Sequence, residues 1–591
     1  MALLVLLYDR NTDRRAATTR AIEREPLPNE SNLKRHEWSD GPWHMICRAA
    51  PSTPVAMHED PDRWAIHVGK LLNRSLSVLT PDRSVTDPVG GFGLAVELDR
   101  RTNKVSATTD FMGVFPLYYV QGNDWMMITS SPWFAACHPD FSPDWDLEGV
   151  ASVLLTMHLV SGQTVWKGVR RLASGHRLEW RPDGECVTRE SYRLQLGDRS
   201  DQPDPEAVYA RISALLDALR DPGAPASVLL SGGLDSRLIA GIMHRNTGGQ
   251  LTAFTCGIET DIEVQCARLV ANRLGIPHTI DEVSAEQELV SFVQTARLEL
   301  ASNGMNTTGT HGVVSQTPAG HSLVNGYSMD LFFTNADYYR GKIKPENEDG
   351  VLAFYSRWGM RDDVCLSLRE GADWIHAVHT TRNHQRQVMA GYDAPSVLHA
   401  AQLYEGFFRQ RHHVGGIGWR HSWNVWPVAM AYDATLIEML LGTDDRAREN
   451  RRMEKQLLAQ YFPSLARLPF DRNGTYTEPL LPRRRWDDLR DRLARRPRAR
   501  VDQVTSHQQL RYFRTMDIHA PGWKHVREQL EPLRHHLHDL FDAKALEAVL
   551  PRPGTCIPMK IPIAESSCRK TLLALMVIAD AMKNISARRE R

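Results

Sequence analysis

The order of apolar and polar positions divides the chain into a β-rich first part and a mixed second part. Leu3 to Tyr8 is a short apolar run that suits a first strand. Gly90 to Asp99 reads as a strand, Arg100 to Asn103 as a polar turn, and Lys104 to Thr109 alternates as the returning strand. Pro116 to Val120 and Trp125 to Thr129 flank Gln121 to Asp124, a second hairpin. Trp145 to Leu159 has a helical pattern. His176 to Trp180 and Glu185 to Thr188 flank Arg181-Pro182-Asp183-Gly184, where turn chemistry wants proline and glycine. The polar stretch Leu196 to Pro205 carries two prolines and marks a boundary, giving domains over 1–200 and 201–591.

Beyond it the period changes. Glu206 to Arg220 is an amphipathic helix with Val208, Ile212, Leu215, Leu216 and Leu219 on one face. Ala226 to Leu230 suits a buried parallel strand, followed by a helical run from Arg237. Leu251 to Thr255 is a second strand, Glu263 to Leu274 a helix, and Thr279-Ile280 opens a third strand. Strand, helix, strand, helix, strand means a parallel sheet with right-handed crossovers, hence an α/β class. The remainder reads as mainly helical. The basic stretch Arg483 to Arg485 and Arg492 to Arg500 reads as a solvated face or as a contact surface for a peptide. The aromatic segment from Phe407 to Trp426, with Trp419 and Trp423, suits either a peptide-sized substrate or an ordinary core.

Composition narrows the class. The 591 residues are 42% apolar and 24% charged, ordinary for a globular protein and enough for about two to four domains. Lys+Arg and Asp+Glu are both 71, so nothing global draws the chain to nucleic acid or an anionic membrane. Neither is an expected partner. The eight cysteines are scattered with no CxxC spacing, which fits a reducing compartment. The first apolar run is too short for a signal sequence, and Leu572 to Ala579 is far below a membrane span. A cytoplasmic location is expected.

One motif carries chemistry. Ser231-Gly232-Gly233-Leu234-Asp235-Ser236 stands where a strand hands over to a helix. The glycines let the backbone turn tightly against a ligand. Amides at the helix start form an anion site, the two hydroxyls add donors, and Asp235 can hold magnesium. The loop suits a magnesium-bound polyphosphate. It lacks the Gly-Lys-Ser/Thr of a Walker A loop.

This hexapeptide resembles the ATP-pyrophosphatase half of the asparagine synthetase family. Ala253-Phe254-Thr255-Cys256-Gly257 resembles the strand lining the family's adenosine pocket, and Asp261 to His278 its next helix and turn. Gly326-Tyr327-Ser328-Met329-Asp330 resembles its second acidic loop, and Trp426 to Asp433 its Pro-Phe-Leu-Asp segment. Gly90 to Phe92, Asp110 to Gly113, Pro116 to Tyr119 and Val169 to Gly175 resemble its glutaminase domain. The resemblance implies a degenerate class II glutaminase-like β-rich sandwich, then an adenine nucleotide α-hydrolase-like parallel-sheet domain with a helical extension. It implies ATP and Mg2+ as cofactors. Leu229, Ser231, Gly232, Gly233, Leu234, Asp235, Ser236, Thr255, Cys256 and Gly326 then bind nucleotide, and Asp235 and Asp330 bind metal. Chemistry in the family runs through an acyl-adenylate, with an amine displacing AMP.

One departure matters. The family's ammonia-producing members carry a cysteine next to the initiator methionine. Here that residue is Ala2, which has no nucleophile, so glutamine hydrolysis is not expected and the amine comes from the substrate. Relatives without that cysteine include β-lactam synthetases and lasso peptide cyclases, and the chain looks most like the latter. That resemblance implies a macrolactam synthetase joining a core peptide's N-terminal amine to an Asp or Glu side chain. A precursor peptide, a leader peptidase and a peptide-recognition protein are the implied partners. The alternatives are a small-molecule amide or β-lactam former, an ammonia-using asparagine synthetase, and a non-catalytic scaffold. In the β-lactam branch a tyrosine three residues before the aspartate pairs with a glutamate to deprotonate the amine. Tyr327 has that spacing from Asp330, or is a packed loop tyrosine, and Glu405 is the candidate partner. A basic residue for the pyrophosphate maps to Arg472, with Lys455 and Lys560 as rivals.

Overall fold

The computed structural model describes residues 3–82, 87–194, 204–221, 223–303, 317–318, 320–335, 348–356, 358–472, 475–482, 517–559 and 562–589. The first part is a pair of six-stranded antiparallel sheets. One contains β1 (Leu3–Asp9), β2 (Lys34–Asp40), β3 (Trp43–Ala49), β8 (Tyr118–Gln121), β9 (Trp125–Thr129) and β10 (Arg170–Arg171), in the order β10-β8-β9-β1-β3-β2. The other contains β4 (Val55–Glu59), β5 (Arg63–Leu72), β6 (Gly90–Asp99), β7 (Lys104–Thr109), β11 (His176–Trp180) and β12 (Val187–Glu190), in the order β12-β11-β7-β6-β5-β4.

β1 is buried throughout, and apolar from Leu3 to Leu7, because it is covered on both sides. The Thr12–Arg24 helix packs on it, and Tyr8 meets Trp43 and Trp180 edge-on at 4.9 and 5.1 Å. Trp38 stacks on Trp64 at 4.3 Å, joining the two sheets a second time. The expected hairpins form, with small shifts. β8 opens at Tyr118 rather than at Pro116, whose missing N–H cannot join a ladder. The strand expected over Glu185 to Thr188 runs over Val187–Glu190, and the helix expected over Trp145 to Leu159 over Leu147–Thr156. The boundary at 200/201 lies outside the described residues.

The second part is built on a five-stranded parallel sheet in the order β15-β14-β13-β16-β17. Its strands are β13 (Ala226–Leu229), β14 (Leu251–Cys256), β15 (His278–Asp281), β16 (Ser322–Asn325) and β17 (Trp426–Ala429). The helices Pro205–Leu219, Leu234–Asn246 and Ile262–Leu274 connect or flank them. The Leu234–Asn246 helix begins ahead of Arg237, so Asp235 and Ser236 belong to its first turn. The remainder is mainly helical as expected, with β16 and β17 as short strands that complete the sheet. Helices Pro521–Leu530, Ala543–Val549 and Pro562–Arg589 supply the helical extension. Leu572 to Ala579 is buried in it, and among the described residues no helix is long and apolar enough to cross a membrane.

The two parts share one core. Trp426 of β17 lies 5.4 Å from the Phe92 ring of β6, and Phe92 stacks on Tyr432 at 5.2 Å. Gly69 is small where Trp426 arrives: a Cβ there would lie 2.8 Å from the indole edge. Arg211 holds the fully buried Asp433 through Nε at 2.5 Å and Nη2 at 2.9 Å, and Gly90 bridges to Asp433. Lys70 Nζ donates to Arg220 O at 2.7 Å.

Candidate active site

The hexapeptide sits at the carboxyl end of β13, in the middle of the parallel sheet, where ligands of such sheets bind. The loop is locked by its own hydroxyls. Ser231 N–H donates to Ser236 Oγ at 3.0 Å, Gly233 N–H to Ser231 Oγ at 3.2 Å, and the two hydroxyls lie 2.9 Å apart. The strands β18 (Phe470–Arg472) and β19 (Thr475–Thr477) form a hairpin across it. Asp471 N–H donates to Gly232 O at 2.8 Å, and a Cβ on Gly232 would lie 2.6 Å from Asp471 Cβ. The buried Arg237 ties both chains together, donating to Gly232 O at 3.3 Å and Pro469 O at 2.7 Å. Gly233 is the helix N-cap and offers no capping side chain.

The second acidic loop follows β16. Asn325 Oδ1 accepts from Tyr327 N–H at 3.1 Å, and Ser328 turns the chain with φ of 62°. Gly326 lies directly on the start of the Leu234–Asn246 helix: a Cβ there would come within 2.8 Å of Asp235 Cβ and 3.2 Å of Ser236 N. This contact brings Asp330 into the electrostatic field of Asp235. Burial pushes the Asp235 carboxyl above the usual range, the Arg451 charge opposes that rise, and the Asp330 charge adds to it.

Two residues at this site escaped the sequence reading. Arg451 Nη2 donates to Asp235 Oδ1 and also pairs with Glu454. Glu454 is fully buried, and burial pushes its carboxyl well above the usual range. A signal existed for Glu454: an acid on the same helix face as the buried Leu457 and Leu458. Arg451 stands 216 residues from Asp235 amid other arginines and offered none.

Asp235 and Asp330 suit magnesium. They are hard oxygen donors beside a helix N-terminus, and magnesium ordinarily takes only one or two carboxylates, with phosphate oxygens and water completing its shell. Among the described residues no group of three or more His, Cys, Asp or Glu is arranged to hold a metal.

Leu229 packs with Phe254, Cys256, Leu323 and Val425 in a small apolar patch at the strand ends. Thr255 Oγ1 donates to Leu230 O at 2.6 Å and lies 2.8 Å from His278 Nε2. Burial lowers the His278 pKa to about 4, so the ring is neutral and donates from Nε2 to that oxygen. The Thr255 hydroxyl thus braces the patch.

The proposed amine-handling residues are less closely gathered. The Tyr327 ring lies 6.1 Å from His421. Glu405 is buried at the start of a π-helical turn, Glu405–Gln410. Its Oε1 accepts from Arg409 and from Gln410 Nε2, the latter at 2.6 Å, and its buried Oε2 has no hydrogen-bond partner among the described residues. Next to it, a Cβ on Gly406 would lie 3.1 Å from Leu331 Cδ2, so the turn abuts the short Met329–Phe332 helix that carries Asp330. Arg472 ends β18 in the hairpin over the loop, but its side chain lies outside the described residues, as does Lys560. Lys455 is half-buried in the helix Arg452–Tyr461. The basic stretch 483–500 lies outside the described residues as well. Phe407, Trp419, Trp423 and Trp426 are core.

Residues 213–299 match the asparagine synthase family, and residues 80–192 match the glutamine amidotransferase domain. Among curated proteins, the chain is 29% identical over 224 residues to asparagine synthetase [glutamine-hydrolyzing] 2 of Oryza sativa subsp. japonica, covering 35% of this chain and 34% of that protein. It is 27% identical over 176 residues to asparagine synthetase [glutamine-hydrolyzing] 3 of Bacillus subtilis (strain 168), covering 29% and 28%. The chain thus spans about a third of the length of the curated relatives it matches. A solved structure of the B. subtilis glutamine phosphoribosylpyrophosphate amidotransferase, complexed with ADP and GMP, overlaps 59% of this chain and 79% of its own at 9% identity and a TM-score of 0.21.

Proposed function

We propose that this chain, which carries an asparagine synthase-type domain and a glutamine amidotransferase-type domain, is an ATP-dependent lasso peptide cyclase. The observation that supports the ATP-dependent part is the contact of Gly326 on the first turn behind the Ser231–Ser236 loop, with the Asp330 charge felt at Asp235.

The substrate is a core peptide. A side-chain carboxylate oxygen of Asp or Glu attacks the α-phosphorus of ATP, and the bond to pyrophosphate breaks. The peptide's N-terminal amine then attacks the acyl carbon, loses a proton, and AMP departs with the electron pair of the broken C–O bond. Magnesium would supply positive charge at the phosphates. Ser231, Ser236 and the helix amides hold the phosphate oxygens, and Leu229, Thr255 and Cys256 border the base. Tyr327, with Glu405, takes the amine proton. Arg472 adds fixed positive charge and, being arginine, no acid function. Ring closure is entropically costly, so holding the peptide folded is part of the enzyme's work.

One feature supports a substrate-borne amine over ammonia released from glutamine. The first cysteine, Cys47, pairs with Leu4 across the sheet, and complete burial pushes its thiol up to about 12, far from a reactive thiolate. A precursor peptide, a leader peptidase and a recognition protein are the proposed partners. ATP–pyrophosphate exchange tests the reading across candidate peptides and small diacids: exchange stimulated by a precursor peptide and not by aspartate is expected. Exchange driven by aspartate with ammonia would show a small-molecule synthetase instead.

A further inference from the structure

The Asp235 carboxylate is already engaged by a cation of the protein's own. Arg451 donates to Asp235 Oδ1 and pairs with Glu454, so one guanidinium bridges the phosphate loop and the Arg452–Tyr461 helix. The backbone that delivers it is strained. Asn450 and Arg451 are consecutive non-glycine residues in the left-handed region, with φ of 51° and 60°. Side-chain-bearing residues other than Asn and Asp avoid that region, and such strain at Arg451 persists where surrounding contacts over-determine it. Here the contacts are the two ion pairs. The pairing is also accessible: the Arg451 and Asp235 side chains each keep 24% of their exposure, whereas Glu454 keeps none. Glu454 is a fixed anchor, and the Asp235 end can open to solvent.

A guanidinium held on Asp235 Oδ1 repels a divalent ion that approaches the same carboxylate. A metal arriving alone must push Arg451 aside or sit against its charge. A metal arriving with a polyphosphate brings negative oxygens to which the freed guanidinium can turn. We propose that Arg451 is a resident counter-cation that closes the Asp235 metal position in the free protein and yields it only to metal plus nucleotide. The proposal rests on the nucleotide-site reading above and adds a binding order to it: divalent metal alone does not load.

Mn2+ tests this on the full chain, with free Mn2+ followed by electron paramagnetic resonance and the melting temperature read in parallel. Wild type should take up Mn2+ at this site only when ATP is present. Arg451→Gln should bind Mn2+ without nucleotide at least tenfold more tightly than wild type. Its melting temperature should fall without metal and recover with Mn2+. Adding Asp235→Asn to that variant should abolish the gain. Should Arg451→Gln fail to fold, Arg451→Met removes the charge while keeping much of the side chain's length, and must itself show raised Mn2+ affinity. Equal affinity for Mn2+ alone in wild type and variant, tight loading of wild type by Mn2+ alone, or a gain that survives Asp235→Asn overturns the proposal while leaving Mn2+–ATP binding, and so the nucleotide site, intact. No Mn2+ uptake by wild type even with ATP overturns both.

Discussion

Asp330 and Tyr327 are three residues apart and are asked to do different things, which makes them separable. Asp330→Ala removes a carboxylate whose charge already reaches Asp235. Metal-borne charge stabilisation is worth several kcal/mol, so pyrophosphate exchange should fall by about 10³-fold or more with the fold intact by circular dichroism. Near-normal exchange in magnesium would remove Asp330 from the site. Tyr327→Phe deletes one hydroxyl and keeps the ring near His421. A lost acid–base group costs roughly 10²–10⁴-fold, so product formation should fall by that factor beyond any loss of exchange. Glu405→Gln should behave likewise, and the double variant should be little worse than either, because residues acting as a unit are not additive. Equal losses of exchange and product would make Tyr327 a binding residue instead. The phosphate loop was legible because its chemistry is concentrated in six adjacent residues. Arg451 was not, because its meaning depends on a contact spanning 216 positions.

The elements show the same division. β13, β14 and β15 and their helices lie close together in sequence, and each strand is flagged by its position between helical periods. β16 and β17 are four residues each and widely separated from their neighbours, and β17 contains Pro427, which argues against a central strand. The sheet resolves this by putting β17 at its edge, where a missing N–H costs no interior ladder bond. β16 is the strand that aims the second acidic loop, so its register transmits directly to the site. Gly326 is the sensitive point. A methyl group there would overlap Asp235 Cβ and the backbone of Ser236, neither of which can swing away. Gly326→Ala should therefore separate the two acidic loops. Misplacement by about 1 Å can cost 10²-fold, and exchange should drop by about that factor while the melting temperature changes little. Unchanged exchange would show that the loops tolerate displacement.

At the scale of the whole molecule, the halves are joined by buried polar groups as well as by Trp426. Asp110, in the turn after β7, sends one carboxylate oxygen to Val114 N–H at 2.9 Å and the other to Phe115 N–H at 2.8 Å. Across the interface, Arg411 lies against the same turn, 3.2 Å from where a Gly113 Cβ would be, and donates to Leu172 O at 2.9 Å. Burial raises the Asp110 pKa to about 6, against the lowering effect of the two amides and of Arg411. The folded state therefore binds this proton more tightly than the unfolded chain, whose aspartates titrate near pH 4. Between those values the native state holds more protons, so the Asp110 contribution to stability is full below about pH 4 and is lost as pH rises through 6. The loss is on the order of 3 kcal/mol. Other carboxylates titrate in the same window, so the measurement is a difference. Urea unfolding of wild type and Asp110→Asn is compared at pH 4, 5, 6 and 7. Asparagine cannot accept from both amides, and a buried unsatisfied group costs about 1–3 kcal/mol, so the variant starts weaker at pH 4. The gap should then close, by about 3 kcal/mol, as wild type ionises Asp110 and the variant does not. A gap that widens with pH would mean that Arg411 and the amides outweigh burial and that Asp110 is held as an anion in the interface.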